Sequence, residues 1–532
     1  MMRYFIVFGI LLSFILSTSC AKRGFIDGGP KDTIAPILIS SKPENFSTNF
    51  VGNDIRIIFD EYIKLKDVDK QLIISPPLKN KPDISPVSAS KYINIRLRDT
   101  LKENTTYSFN FGQSIQDNNE GNPFQSFTYV MSTGSAIDSL TLKGRIKDAY
   151  LNKTDDFVSV YLYDINDKFS DSVVYKSMPR YATNTLNQGN DYEFKYLKPG
   201  QYKLVALKDK NNNFKFDPKN EKIGFHSDVI TIPNDTLYEV ELFQEKIPFK
   251  TLNATLTHQN KIEVGFEGKQ KDAKFELKNG NETIKTWLTK PTDKDTLMIW
   301  FKPLTVDSLQ LHIKKDDFKK TQNIIVRKKE IDSLKLSPMT GILKFREDLF
   351  INSSTPLAKI DDSKISIRDK DSLEVKFTHF YNEEKQKLEF YFKKEPEQSY
   401  HALALPGAIT DIFDKTNDSL KFVVNTKRLA DFGNLVLNLN NVKSYPLIID
   451  LLNDKGDIQT TFWVKDKDQK IEFKLLDPIK YTVRFIYDTN GNGEWDTGSY
   501  VDKRQTEEVL YFPTPVDVRM NWDVNQNIDL GG

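Results

Sequence analysis

Acidic and amide residues fall at every second position in the segment YDTNGNGEWDTG, from Tyr487 to Gly498. Calcium prefers oxygen ligands, and a twelve-residue calcium loop supplies them from positions 1, 3, 5, 7, 9 and 12. Counted from Asp488, the first five of these positions are held by Asp488, Asn490, Asn492, the carbonyl of Glu494, and Asp496. Gly493 occupies position 6, where the turn needs glycine, but Ser499 stands where a bidentate glutamate would complete the site. The segment predicts a structural calcium site.

A second loop of the same kind occurs earlier in the chain. Its oxygen ligands would be Asp209, Asn211, Asn213 and Asp217. Phe214 replaces the glycine, and lysines at positions 210, 215 and 219 oppose a cation. Both loops have an alternative interpretation as polar turns whose side chains bond their own backbone. The two interpretations stay open, and calcium is the one cofactor that the sequence suggests.

The two loops end two copies of one longer segment. YEFKYLKPGQYKLVALKDKNNNFKFD (192–217) aligns without a gap with IEFKLLDPIKYTVRFIYDTNGNGEWD (471–496). Pro199 matches Pro478, and Tyr202 matches Tyr481. Unrelated strand–turn–strand segments would not keep both the proline and the polar spacing in register. One type of domain therefore occurs twice.

Short runs of alternating apolar and polar residues surround both loops, as in NDIRIIFD, KYINIRLRD and KLEFYFKK. This alternation, interrupted by Asn, Asp, Gly and Pro, is typical of half-buried β-strands. No long stretch has helical periodicity. The predicted fold class is all-β, a tandem series of β-sandwich domains.

The N-terminus has the pattern of a secretory signal. Arg3 precedes an apolar run, and small residues then lead to Cys20, the single cysteine of the chain. A lone cysteine directly after a signal peptide resembles the bacterial lipoproteins, in which that cysteine is lipidated. Ala21 follows it, where an aspartate would retain a lipoprotein in the inner membrane. We therefore expect lipidation of Cys20 and an anchor in the outer membrane, with the periplasmic face and the cell surface both open.

Two further resemblances concern the folded part. The first region resembles the SbsA-type bacterial Ig-like domain through FDEYI at 59–63, ENTTY ending at Tyr107, the DNNEGNP turn and the closing STG. The repeated segment resembles the prealbumin-like β-sandwich (transthyretin-like or carboxypeptidase-regulatory) through GRIKDA and LKPGQYKL. The whole arrangement resembles Ig-like-domain lipoproteins of Bacteroidota. Such modules imply spacing, rigidity and protein contact, and no particular reaction.

These features predict seven segments. They are a signal peptide (1–19), a lipidated tether (20–32), an SbsA-type Ig-like domain (33–134), a prealbumin-like sandwich (138–245), a further β-sandwich (246–330), a second, degenerate Ig-like domain (331–427) and a second prealbumin-like sandwich (428–530).

Residues that could form a catalytic centre are sparse. None of the five histidines has a second histidine or a cysteine at ligand spacing. Neighbouring carboxylates such as Asp60 and Glu61 face opposite sides of a strand, so they do not share a site. No nucleophile elbow, phosphate-binding loop or dinucleotide fingerprint occurs. We expect a non-enzymatic protein, and an enzyme with a site built from distant loops is the less favoured alternative.

Basic and acidic residues nearly balance, with 75 Lys plus Arg against 74 Asp plus Glu. A nucleic-acid partner would require a basic excess, so none is expected. We expect envelope or outer-membrane proteins as partners, with the chain acting as a multi-domain scaffold, for example as an accessory lipoprotein of an outer-membrane complex. The alternative is a surface adhesin or glycan-binding lipoprotein. The aromatic candidates for glycan contact are Trp287, Trp300, Trp463, Trp495 and Trp522.

Overall fold

The structure is a computed structural model that describes residues 31–185, 189–291, 294–467 and 470–531. The predicted signal peptide and Cys20 lie outside the described residues. The regular structure within these ranges is almost entirely β-strand, which confirms the all-β prediction. The exceptions there are two four-residue helices and two 3₁₀ turns: α1 (Val68–Gln71), α2 (Val173–Lys176), Asp362–Lys364 and Leu429–Asp431. Among the described residues, no helix has the length and apolar character that crossing a membrane would require.

The sheets of the described chain group into five β-sandwich units, each around its own hydrophobic core. We name them unit 1 (38–132), unit 2 (140–245), unit 3 (250–325), unit 4 (336–425) and unit 5 (433–529). Unit 2 includes the three residues after its last strand, because Phe243 forms a β-bridge with Ile223 and the side chain of Gln244 donates to the carbonyl of Pro218. Units 2 and 5 contain the two copies of the repeated segment. The domain limits drawn from the sequence stay predictions.

Unit 1 shows how the period-two sequence builds a sandwich. In the strand DIRIIFDEYIKL, Ile55, Ile57 and Phe59 are buried, and the residues between them are at least partly exposed. Alternate side chains of a strand point to opposite faces, so one face joins the core and the other meets water. The strands are β1 (Leu38–Lys42), β2 (Asp54–Leu65), β3 (Ile73–Ser75), β4 (Asp83–Ser85), β5 (Ser90–Arg96), β6 (Thr106–Asn110), β7 (Ile115–Asp117) and β8 (Thr128–Ser132).

Units 2 and 5 share one strand order, as expected for two copies of one domain. Unit 2 has β9 (Leu140–Asp148), β10 (Ser159–Asp164), β11 (Tyr181–Asn184), β12 (Asp191–Leu197), β13 (Gly200–Leu207), β14 (Ile223–Phe225), β15 (Ile230–Ile232) and β16 (Leu237–Leu242). Unit 5 has β36 (Gly433–Asn440), β37 (Leu447–Leu452), β38 (Ile458–Val464), β39 (Ile471–Leu476), β40 (Lys480–Tyr487), β41 (Val509–Tyr511), β42 (Val516–Asp517) and β43 (Asp523–Asp529). A three-stranded sheet, β12-β9-β16 or β39-β36-β43, faces a larger one, β11-β10-β13-β14 or β38-β37-β40-β41.

Units 3 and 4 lie between the two copies in sequence. Unit 3 has β17 (Lys250–Thr251), β18 (Thr255–His258), β19 (Lys261–Glu267), β20 (Lys274–Asn279), β21 (Glu282–Ile284), β22 (Trp287–Thr289), β23 (Thr296–Trp300), β24 (Ser308–Lys315) and β25 (Phe318–Ile325). Unit 4 has β26 (Leu336–Pro338), β27 (Gly341–Ile342), β28 (Leu349–Ser353), β29 (Leu357–Ile360), β30 (Ile365–Arg368), β31 (Thr378–Asn382), β32 (Lys387–Tyr391), β33 (Ser399–Ala404), β34 (Ile409–Asp411) and β35 (Leu420–Asn425).

The strand that leads into each polar loop is buried on both faces. In β13, Leu204 and Ala206 belong to the core of unit 2, whereas Val205 and Leu207 belong to a second apolar cluster. That second cluster also contains Tyr500 of unit 5. A sandwich strand gains a second buried face only when another structure covers the sheet from outside. The cluster therefore marks a contact between the two copies.

Candidate functional site

The second polar loop begins where β40 leaves the core of unit 5. The side chain of Asp488 is fully buried there. Its Oδ1 accepts the main-chain N–H of Asn492 (3.0 Å), and its Oδ2 accepts that of Gly493 (2.9 Å). Oδ2 also accepts the indole N–H of Trp463 (3.1 Å). A carboxylate that binds N–H groups a few residues ahead holds the backbone in an Asx-type turn. Asp488 thus fixes the course of the loop.

Glycine suits the tight course of this turn. Gly491 and Gly493 have φ values of +70° and +76°, which cost an L-residue with a side chain roughly 1–2 kcal/mol. The aligned residues of unit 2, Asn212 and Phe214, adopt φ values of 50° and 62°. The backbone course is therefore shared, and only the second copy follows it with glycine.

The other predicted ligands of this loop bind protein groups. Asp496 Oδ2 accepts the side-chain N–H groups of Asn490 (2.5 Å) and Asn492 (2.7 Å), and its Oδ1 forms an ion pair with Lys246. Partial burial alone would raise the pKa of Asp496. The hydrogen bonds from Lys246, Asn490 and Asn492 outweigh it and hold that pKa below its usual value. The carboxylate is therefore ionised at neutral pH, and it holds Asn490, Asn492 and Lys246 together.

Glu494, predicted to give a carbonyl ligand, pairs its side chain with Lys269 of unit 3. Calcium would need several carboxylate and amide oxygens directed at one point. Among the described residues, no three His, Cys, Asp or Glu side chains are grouped so that they could hold a metal ion. Calcium binding at either loop stays a prediction.

A residue that the sequence did not single out closes the loop. Glu507 is buried, and its Oε1 accepts both the main-chain N–H and the hydroxyl of Thr489 (2.7 Å each). Its Oε2 accepts the main-chain N–H of Asp496 (3.0 Å). One carboxylate therefore joins the beginning and the end of the turn. We call residues 488–507 the clasp loop.

The first polar loop, in unit 2, has the same two carboxylates. Asp209 accepts the main-chain N–H groups of Asn213 (3.2 Å) and Phe214 (2.8 Å), and the hydroxyl of Tyr161 (2.9 Å). Glu221 accepts the main-chain N–H groups of Lys210 and Asp217 (3.0 Å each). Glu507 accepts the main-chain N–H groups of Thr489 and Asp496 in the same way. Of the other predicted ligands, Asn211 and Asn213 are exposed, and Asp217 is half-buried. Glu221 follows Asp217 by four residues and Glu507 follows Asp496 by eleven, so sequence alignment hides their equivalence.

The extra residues of the clasp loop bind unit 2. Thr497 Oγ1 donates to the carbonyl of Gln244 (2.7 Å), and the main-chain N–H of Tyr500 donates to Glu245 (2.5 Å). Gln505 Nε2 donates to the carbonyl of Phe225 (3.0 Å). The segment that separates Glu507 from Asp496 is thus the segment that reaches the first copy.

Apolar side chains fill the centre of this contact. The ring of Tyr500 lies 5.3 Å from that of Phe225 and 6.5 Å from that of Tyr175, measured between ring centroids. Gly498 lies against Phe243, and a Cβ at this position would fall 2.6 Å from the edge of that ring. Since atoms do not approach so closely, glycine is required for the loop to seat on unit 2.

A buried ion pair borders the contact. Arg484 and Asp450, on neighbouring strands of unit 5, pair at 2.7 Å with side chains that are 3% exposed. Arg484 Nη2 also donates to the hydroxyl of Tyr150 in unit 2 (2.8 Å), and its guanidinium lies 4.0 Å from the centre of that ring. Tyr511 donates its hydroxyl to the carbonyl of Tyr150 (2.7 Å). Buried charges need such partners, and one of them comes from the other copy.

Two glutamates of unit 2 enter the contact as acceptors. Glu241 Oε2 accepts the hydroxyl of Thr506 (3.2 Å), and Glu245 accepts the N–H of Tyr500. Burial raises the pKa of Glu241 and that of Glu245, although these hydrogen bonds act in the other direction. The contact therefore contains groups that are easier to protonate than surface glutamates.

The five tryptophans divide by environment. Trp300 is buried and donates to Thr289, and Trp495 stacks on Tyr150 at a centroid distance of 4.6 Å. Trp463 donates to Asp488. Trp287 is half-buried, and Trp522 is 58% exposed. Three of the five candidates are therefore engaged in packing or hydrogen bonds, and the other two contact cations, with Lys285 4.9 Å from the ring centre of Trp287 and Arg519 5.4 Å from that of Trp522.

Comparison with known proteins gives one family match. Residues 32–133 match the family described as bacterial Ig-like domain, which confirms the Ig-like resemblance of unit 1. No curated protein sequence matches the chain. The family match covers unit 1, and the described chain as a whole is an all-β series of β-sandwich units.

Several solved structures share a low similarity with the chain. The S-layer protein rSbsC(31-844) is 12% identical, with 91% of this chain and 68% of that chain covered and a TM-score of 0.16. The BSP domain of a biofilm-associated protein is 7% identical, with 76% and 99% covered and a TM-score of 0.15. The titin fragment I67-I69 is 10% identical, with 53% and 99% covered and a TM-score of 0.13.

An Ig-like domain is compatible with a scaffold or an adhesin. Ig-like domain families are typically non-enzymatic. In the clasp loop, the carboxylates bind main-chain N–H groups, side-chain amides and a lysine of the protein itself.

Proposed function

We propose that the protein is a non-enzymatic scaffold of the cell envelope, held at the outer membrane by a lipid on Cys20. The observation that carries this proposal is the fastening of unit 5 onto unit 2 through the clasp loop. A scaffold must keep its binding surfaces at set distances. Contacts between domains that are far apart in sequence supply this rigidity.

The anchor is supported by the N-terminal sequence, a signal-like segment followed by the single cysteine. In cells fed an alkyne analogue of palmitate, the wild-type protein should take up the label and Cys20→Ala should not. Cys20→Ala should also leave the outer-membrane fraction after a high-salt wash. Retention of Cys20→Ala in that fraction would show that another part of the chain holds the protein there.

The scaffold role predicts a stable protein partner in the envelope, such as an outer-membrane complex. Purification of the chemically cross-linked, full-length protein should recover the same partner in repeated preparations. Gly498→Val should weaken this recovery, because the added side chain meets Phe243 and separates the clasp loop from unit 2. Ser135→Val places the same side chain at an exposed position and serves as the matched control. Equal recovery with both variants would mean that the partner does not depend on the fastened arrangement.

A second candidate function is glycan binding, which the exposure of Trp522 favours. An exposed indole offers an apolar face to a sugar ring. Binding of the wild-type chain to a glycan array, lost in Trp522→Ala and kept in Trp463→Phe, would support this alternative. An array without any bound glycan would remove it.

A further inference from the structure

In the part of the chain that the structure describes, strand β43 leaves the main-chain N–H groups of one side unpaired at the edge of unit 5, whereas one carbonyl on that side, that of Asn527, accepts the side-chain amide of Gln526 (2.9 Å). It pairs in parallel with β36 and with no other strand of the described chain. The N–H of Asn434 donates to the carbonyl of Trp522 (2.9 Å), and that of Leu530 to Asn440 (3.0 Å). In a parallel ladder, alternate residues of a strand face the same neighbour. The even-numbered residues of β43 therefore face β36, and the odd-numbered residues face away.

The outward groups belong to four residues: Asp523, Asn525, Asn527 and Asp529. Among the described residues, their main-chain N–H groups have no hydrogen-bond partner. Proteins usually protect such an edge with lysine, proline, a bulge or a short strand. β43 has seven residues in unbroken register, without lysine or proline. The edge is ready to accept another strand.

The same edge of unit 2 is partly covered. Beyond β16, Phe243 exchanges two main-chain hydrogen bonds with Ile223 (2.8 Å each), which extends the edge into β14. The clasp loop then covers the strand end through Thr506 and Thr497. Among the described residues, unit 5 has no such bridge after β43, and the side-chain hydrogen bonds of β43 run to residues of unit 5 and to Gly531. In the first copy this edge is covered by another part of the protein. By analogy, the open edge of the second copy is where a strand of a further chain could pair.

Charge on β43 indicates what that chain contains. Asp523 and Asp529 lie at the two ends of the strand, on its solvent face, and each accepts a side-chain N–H from an asparagine of unit 5 (2.7 and 2.8 Å). Asn525 and Asn527 lie between them on the same face. A second copy of β43, paired antiparallel about its centre, would set Asp523 against Asp529 twice, and like charges directly opposite destabilise a sheet. A strand with a basic residue at each end and uncharged residues between them complements this edge.

We propose that β43 binds an extended segment of a partner protein as an added strand, and that this segment carries Lys or Arg at both ends of a seven-residue stretch. The inference rests on the proposed scaffold function and names one of its contact surfaces. Main-chain hydrogen bonds from the four outward residues would supply affinity, and the two aspartates would supply selectivity.

A labelled peptide, KVTVTVK, tests the proposal with the full-length protein. It should bind with an affinity that Asn525→Pro reduces by about tenfold, because proline removes one outward N–H group and obstructs the incoming strand. Since this N–H does not face β36, the fold should persist. Asn525→Ala keeps the N–H group and should bind as the wild type does. Equal affinity of the wild type and Asn525→Pro for the peptide, or no binding at all, would overturn the proposal.

Reversing the two charges of β43 tests the proposal independently, in case Asn525→Pro does not fold. The double variant Asp523→Lys with Asp529→Lys should prefer the peptide EVTVTVE over KVTVTVK, and the wild type should show the opposite preference. An unchanged preference would overturn the proposal. Recovery of an envelope partner that is equal for the wild type and Asn525→Pro would also reject this edge as the contact, yet leave the scaffold function standing. If the wild-type protein recovers no partner at all, the scaffold function itself is rejected.

Discussion

The polar loops of units 2 and 5 begin with the same construction and end differently. In both, a buried aspartate binds two main-chain N–H groups and a buried glutamate closes the turn. In unit 2 the glutamate lies four residues after the last aspartate of the loop, and the chain then enters β14. In unit 5 the return is seven residues longer, since the Asp–Glu separation is eleven residues against four, and the added residues bind unit 2. The turn therefore provides a stable base, and the length of its return segment decides whether the loop also makes a contact.

The largest effect should come from the ion pair that only unit 5 has. Arg484→Met leaves the buried Asp450 without its cation, which should cost about 3–5 kcal/mol in the unfolding free energy of unit 5. The aligned positions in unit 2 are Val205 and Tyr161. The double variant Arg484→Val with Asp450→Tyr copies that pair and should lose less, because no charge stays buried. Hydrogen exchange of the full chain, followed in β37 and β40, gives the measurement.

Removal of the turn aspartate should have the next largest effect. Asp488→Ala leaves two main-chain N–H groups and an indole N–H without their acceptor, at a cost of about 2–3 kcal/mol. Asp209→Ala should destabilise unit 2 by a similar amount. Only Asp488→Ala should also increase exchange in β16, because it displaces the clasp loop from unit 2. Equal exchange in β16 for the two variants would show that the turn does not support the contact.

Glycine substitution tests whether the turn has the same backbone in both copies. Gly493→Ala should destabilise unit 5 by roughly 1–2 kcal/mol, because the residue has positive φ and no compensating packing. Phe214 pays the same backbone cost in unit 2 but contacts Tyr161 at 5.8 Å between ring centroids. Phe214→Ala should therefore destabilise unit 2, since it loses packing and keeps the strain. A stabilising effect of Phe214→Ala, seen as a higher Tm, would contradict this account.

The contact should weaken as the pH rises from acid to neutral. The folded-state pKa of Glu241 is raised by burial, so its contribution to stability is full below the pKa of an ordinary glutamate and is lost as the pH increases through the raised value. Glu241→Gln cannot ionise and keeps an acceptor for Thr506. Its Tm should exceed that of the wild type at pH 7 and equal it at low pH. A constant Tm difference across this range would assign the effect to packing instead of ionisation.

Calcium should give the smallest effect, because Lys246 already neutralises Asp496. Lys246→Met frees this carboxylate, so calcium should raise the Tm of the variant more than that of the wild type. At a calcium concentration equal to the Kd, linkage adds only about 0.4 kcal/mol. The double variant Asp488→Ala with Asp496→Ala is the control and should not respond. Identical melting curves with calcium and with chelator for both lysine and methionine at position 246 would show that the loop is only a turn.

Sequence reasoning reached the fold class because the relevant signal is local. Alternation in segments such as 54–65 reports one buried face, and the gapless repeat transfers one strand order to a second region. The buried second face of β13 could not be predicted in this way. The sequence of β13 is that of a strand buried on both faces. It would be the same whether a neighbouring sheet or another domain covered the second face.

The contact between the copies was missed for a related reason. Asp488 and Asp496 were predicted as ligands from their spacing, which is typical of both metal-binding loops and polar turns. Glu507 lies eleven residues further on, outside any local pattern, and only the folded chain brings it to Thr489. A signal did exist: Glu221 follows the first loop closely, and the absence of an aligned partner for it in unit 5 indicated an inserted segment.

The contact between Tyr150 and Arg484 joins residues 334 positions apart in the chain. Units 3 and 4 are thereby enclosed in a covalent loop whose ends are held by noncovalent bonds. A protease that cuts this loop once would leave two fragments that remain together in native buffer and separate in denaturant. In a compartment that contains proteases, the protein would keep its assembled form after damage that would divide an ordinary string of domains.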